Sequence, residues 1–159
     1  VYTTYQDEKG FIWIGTSNGL QRFDGARFTS FSSASDKGDL PVSDLVKIIS
    51  VQKNQLWLHF QNRGEVGVFN TVNFQYRKVN ILPARPLPLR REVKLWKDSK
   101  GGVYLSVWLY GILKYNAQKD AFIDFDGFHL PEGWKPTAHL YEDTVTNRFW
   151  FPCADSGLA

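Results

Sequence analysis

The sequence predicts an all-β fold of the β-propeller class, with about 3.5 four-stranded antiparallel blades. Three observations carry this. The aromatic anchors Trp13, Trp57, Tyr104 and Trp150 recur with steps of 44, 47 and 46 residues. The glycines that follow them, Gly19, Gly64, Gly111 and Gly157, recur with steps of 45, 47 and 46. Finally, the segments around the tryptophans are apolar at every position: Phe11-Ile12-Trp13-Ile14, Leu56-Trp57-Leu58 and Phe149-Trp150-Phe151. Strands exposed on one side alternate, whereas strands covered on both faces are continuously apolar, as in a blade stacked between two others. All eight marker residues are assigned to the scaffold.

The third copy shows how one repeat is built. Val93 to Lys97 alternates apolar with basic, as a strand does. Asp98-Ser99-Lys100-Gly101 is a tight turn, because Asp bonds the backbone two residues on and Gly accepts a positive φ. Val103 to Trp108 is a β-branched and aromatic second strand. After the Tyr110-Gly111 turn, Ile112 to Tyr115 is the third strand and Ala121 to Phe125 the fourth. No window carries a capped stripe of helical period. The expected blades are about 1–31, 45–78 and 93–125, with a half blade at about 138–159. A half ring exposes apolar faces and strand edges at both ends. The chain is therefore expected to be a piece of a larger propeller, most simply of seven blades, the alternative being two copies that join into one ring.

Composition narrows the class further. The chain has 159 residues, 16% aromatic and 22% charged, which suits a globular domain rather than a disordered one. No run approaches the ~18 apolar residues of a membrane span. Met is absent, so a processed or excised chain is expected. Cys153 is the single cysteine, which excludes an intrachain disulfide and leaves it as a small buried hydrophobe. The net charge of +3 is uneven: Arg77 to Lys97 holds seven basic residues and one acid, Glu92. Such a segment either is solvated or faces an anion.

The first copy, Asp7-x-x-Gly10-Phe11-Ile12-Trp13-Ile14-Gly15-Thr16-x-x-Gly19-Leu20-x-Arg22-Phe23-Asp24-Gly25-x-x-Phe28, resembles the two-component regulator propeller repeat. The other copies are looser: His59-Phe60 stands where Gly15-Thr16 stood, Tyr104 replaces Trp, and the fourth copy carries Pro152-Cys153. That repeat occurs in the sensor regions of hybrid two-component histidine kinases of Bacteroides-type bacteria. The resemblance implies a periplasmic sensor, in its full form a homodimer beside the remaining blades of the same propeller. It also implies that the ligand is an oligosaccharide and that the output controls polysaccharide-utilisation genes.

Binding residues are sought where the copies differ. Second-to-third strand turns share one rim with the long connectors 32–43, 79–92 and 127–137, and long loops on a rigid scaffold are where binding sits. That rim gathers Arg85, Arg90, Arg91, His129, Trp134 and Lys135 with Gln61, Asn62, Arg63, Trp108 and Tyr110. Sugars need aromatic platforms, and carboxylated or sulfated sugars add a need for the two-pronged guanidinium. The candidate ligand residues are therefore Arg63, Arg90, Arg91, Trp108, Tyr110 and Trp134, and the basic connector leaves room for an anionic oligosaccharide. Pro83, Pro86 and Pro88 are expected to hold that connector extended.

No catalytic residue, metal or cofactor is expected. His59, His129 and His139 occupy different places in their repeats, no cluster has metal-ligand spacing, and Asp24-Gly25 is a hairpin turn. The alternatives to a sensor are a propeller lyase or hydrolase, which would need a positioned acid or base, and a protein-interaction or dimerisation scaffold. The basic stretch lies in no nucleic-acid-binding module, so no nucleic acid is expected.

Overall fold

The computed structural model describes residues 1–31, 40–88, 92–127, 130–146, 148–154 and, as backbone, 157–158. The chain divides into two compact units, Val1–Val79 and Asn80–Ala159. Among the described residues every regular element is a strand apart from one 3-10 turn.

The first unit holds two four-stranded antiparallel sheets. β1 (Thr3–Gln6), β2 (Ile12–Thr16), β3 (Gly19–Phe23) and β4 (Phe28–Phe31) pair in chain order. So do β5 (Leu45–Ile49), β6 (Gln55–Phe60), β7 (Glu65–Asn70) and β8 (Tyr76–Lys78). Between β6 and β7 the chain makes the 3-10 turn Gln61–Arg63, closed by Gly64 in the left-handed region at φ 54°. Trp13 and Phe31 from the first sheet meet Phe69 from the second, the Trp13 ring 5.6 Å from Phe31 and 5.7 Å from Phe69. These rings are fully buried together with Leu20, Leu45, Leu58 and Phe60. Burying side chains of this size contributes roughly 1.5–3 kcal/mol each, which makes the seam between the two sheets the core of this unit.

In the first and third copies the turn between the first and second strands explains why the anchor can be Trp or Tyr. Asp7 accepts the backbone N–H groups of Lys9 (2.9 Å) and Phe11 (3.0 Å) on one oxygen, and the Trp13 indole N–H (2.8 Å) on the other. In the second unit Asp98 accepts Lys100 N–H (2.9 Å), Gly102 N–H (2.6 Å) and the Tyr104 hydroxyl (2.8 Å). Indole and phenol each set an apolar body between strands and a donor against the turn carboxylate. The spacing Asp-x5-Trp/Tyr therefore couples the turn to the core.

Two residues past the anchor, Gly15 lies against β5. A Cβ there would collide with the Leu45 carbonyl oxygen and sit 2.6 Å from the Thr3 methyl, so only glycine allows the neighbouring backbone this close.

The second unit begins with a short strand, β9 (Asn80–Ile81), inside the connector. β10 (Val93–Lys97), β11 (Val103–Val107), β12 (Gly111–Asn116) and β13 (Ala121–Asp124) form the antiparallel third sheet. β9 joins its outer edge in parallel, with Asn80 opposite Ala121 and Ile81 opposite Phe122, and Leu82 N–H donates to Phe122 O at 2.8 Å. Only the start of the connector, Asn80 to Leu82, is main-chain-bonded to the sheet as a fifth strand.

The fourth copy departs from a single continuous second strand. β15 (Tyr141–Asp143) pairs β16 (Arg148–Trp150), and β17 (Pro152–Ala154) pairs instead with β14 (Lys135–Pro136) and β18 (Gly157–Leu158). Pro152 has no N–H with which to continue the ladder toward β15, and its carbonyl accepts Thr137 N–H at 2.9 Å. No helix among the described residues is long and apolar enough to cross a membrane.

Candidate functional site

The second unit contains a cavity of about 440 Å³, within the range of small-molecule sites. It opens on the rim where β10 begins, β11 ends, β12 begins and β13 ends. Its floor is Leu109 and Tyr110, in a turn held by main-chain bonds on both sides: Trp108 N–H to Glu92 O and Leu109 N–H to Pro136 O, each 2.9 Å. Leu109 sits in the left-handed region at φ 58°, a conformation a branched side chain adopts only when its surroundings impose it.

One wall comes from the connector that enters the third sheet. Arg85 donates from Nη2 to the Tyr110 carbonyl at 2.7 Å, and its guanidinium carbon lies 4.5 Å from the centre of the Tyr110 ring. Asp124, at the end of β13, accepts the Tyr110 hydroxyl at 2.7 Å on one oxygen and Ala84 N–H at 2.6 Å on the other. Burial, and after it the bond to Asp124, raises the Tyr110 phenol above its ordinary value, so the ring keeps its proton as a donor. The opposite wall comes from the connector that leaves the sheet: Leu130, Pro131, Glu132, Gly133, Trp134 and Pro136. The Trp134 backbone N–H donates to Pro131 O at 3.2 Å, and Gly133 at φ 82° lies in this turn, which carries the half-buried Trp134 among the lining residues.

Of the candidate ligand residues named from sequence, Tyr110 and Trp134 meet in this cavity, together with Arg85 from the same rim. Trp108 is half-buried next to it and is not among its lining residues. Arg63 lies exposed at the end of the 3-10 turn in the first unit, where its neighbour Asn62 bonds Asp44 at 2.9 Å. Arg90, Arg91 and His129 lie outside the described residues. Asp124 was not singled out in the sequence. Its pairing opposite Leu113 puts it two ladder steps from Gly111 and so at the rim, a signal available once the strands are aligned.

Of the scaffold residues, Trp57 and Tyr104 are buried in β6 and β11, and Trp150 is half-buried in β16. Gly19, Gly111 and Gly157 open β3, β12 and β18. Among the described residues no group of three His, Cys, Asp or Glu is placed to hold a metal ion. Cys153 is a buried free thiol in β17, and burial pushes its ionisation up, away from a reactive thiolate.

No family model matches the chain, and no curated protein matches it. Solved structures do. The chain superposes on the extracellular domain of BT4673 from B. thetaiotaomicron, described as a one component system, with a TM-score of 0.71 at 19% identity over 99% of this chain. It superposes on the extracellular domain of BT3049 from the same organism, described as a hybrid two component system, with a TM-score of 0.60 at 13% identity over 99% of this chain. A second structure of the BT4673 domain, described as a hybrid two component system, gives a TM-score of 0.50 at 15% identity. The chain spans about a quarter of these domains, 23%, 26% and 25% in that order. It shares the fold of extracellular domains of two-component systems, which is the resemblance its repeat carries.

Proposed function

We propose that this chain is a blade-bearing part of the periplasmic sensor region of a hybrid two-component regulator, and that the Arg85–Trp134 cavity takes an oligosaccharide. The convergence of an aromatic platform, Trp134, with the bonded Arg85–Tyr110–Asp124 group in a cavity of about 440 Å³ carries this reading. A sugar ring offers an apolar face for stacking and hydroxyls that both donate and accept. The shared fold with extracellular domains of two-component systems supports a sensing role. In the full protein, this reading includes further blades beside these, a second subunit, and an output that controls polysaccharide-utilisation genes.

The test is a calorimetric screen of the intact protein against oligosaccharides, with chromatography of the incubated ligands. Binding without new products is expected. Cleaved or eliminated products would replace the sensor with a propeller lyase or hydrolase, and a screen without any binding would remove the carbohydrate.

A further inference from the structure

The geometry points to an uncharged oligosaccharide as the occupant of the Arg85–Trp134 cavity, one that a uronic or sulfated glycan cannot replace. This deepens the proposed function and rests on its placement of the ligand.

The basic connector suggested an anion from sequence, and the structure shows how one of its cations is used. Arg85 turns onto the sheet: one guanidinium nitrogen serves the Tyr110 carbonyl, and its central carbon lies over the Tyr110 ring. Among the described lining residues it is the one cation, and two carboxylates, Asp124 and Glu132, line the same cavity. Among the described lining residues one guanidinium thus stands with two carboxylates, an excess of negative charge in that set. An entering carboxylate or sulfate would lose water and meet like charge, a cost that discriminates strongly between partners.

The same groups suit hydroxyls. Asp124 and Glu132 only accept, and Arg85 only donates. A hydroxyl placed between them can donate to one and accept from the other, which neutral vicinal diols do without adding charge. Asp124 is held by the Tyr110 hydroxyl and Ala84 N–H, so its oxygens are positioned before a ligand arrives. Trp134 supplies the stacking surface.

The experiment compares neutral tetrasaccharides of galactose, glucose and mannose with tetragalacturonic acid, each titrated into the intact protein at low and high salt. At least one neutral tetrasaccharide is expected to bind about tenfold or more tightly than the uronate, with an affinity that salt leaves unchanged. Trp134→Ala, in a half-exposed loop, is expected to weaken that binding about tenfold or more. Asp124→Asn is expected to narrow the gap between neutral and uronic ligands. Preferential binding of tetragalacturonic acid, weakening with salt, would overturn the inference and leave the carbohydrate reading standing. Equal binding of both, or neutral binding that Trp134→Ala does not change, would also overturn it. Failure of all four sugars to bind would overturn the inference and, with it, the placement of a carbohydrate in this cavity.

Discussion

Gly15 in the first sheet and Ser106 in the third occupy the same place in the repeat, two residues beyond the aromatic anchor. Gly15 is pressed under the Leu45 carbonyl, where no side chain fits. Ser106 is buried, and its hydroxyl donates to the Ala138 carbonyl at 2.5 Å. In both sheets this position meets a backbone carbonyl of a segment some thirty residues on. One sheet makes room for that segment and the other bonds it. In the second sheet the position is His59, a large side chain with 3% exposure. A repeat can thus vary widely at a buried position if each variant matches the approach distance of its own neighbour.

Three substitutions at this one position would break or sharpen the comparison. Gly15→Ala should have the largest effect. The added Cβ meets a backbone carbonyl rather than a flexible side-chain end, so β5 must move; a loss of about 4 kcal/mol or more is expected. Denaturant unfolding monitored by tryptophan fluorescence measures it, and a loss under about 1 kcal/mol would show that the seam is looser than the geometry implies.

Acid comes next, through His59. Burial lowers its imidazole from 6.5 to about 4 in the folded chain. Between those values the unfolded state binds the extra proton and the folded state does not. Stability is therefore full above pH 6.5 and falls by about 1.4 kcal/mol per pH unit toward pH 4. Unfolding midpoints across that window should show the slope, and His59→Gln should flatten it. An equal slope in the variant would assign the acid sensitivity to other groups.

Ser106→Ala should be the mildest. It keeps the volume nearly constant and leaves the Ala138 carbonyl without this donor, for a loss of about 1 kcal/mol. If Ser106→Ala costs as much as Gly15→Ala, the two sheets are not built on different tolerances.

The legible part of this fold was the part written in side chains. Trp13 and Tyr104 mark the period because each must bury an aromatic body, and Asp7 and Asp98 mark the turns because each must accept backbone donors. The strand β9 left no such mark. Its pairing with β13 uses main-chain groups, which every residue carries, and the prolines that follow it in the connector pointed to a displayed loop. The split at Phe151 was signalled by Pro152 yet obscured by the apolar run before it. At the cavity, Tyr110 and Trp134 were readable as aromatic residues on rim loops. Asp124 was hidden by its place in Phe122-Ile123-Asp124-Phe125, where a strand-end carboxylate looks solvated. The charge of Arg85 was visible, and its inward use was not, because that depends on where the Tyr110 carbonyl points.

The parallel pairing of β9 has a consequence for how this region keeps to itself. An outermost strand with free N–H and C=O groups is a template onto which another chain can add, the first step toward aggregation. By lying along β13, the segment Asn80–Leu82 occupies part of that template from within the same chain. The guard depends on main-chain bonds, so its side chains can drift in sequence. Its length cannot: an insertion between Ile81 and Arg85 would shift the cavity wall and the edge guard together.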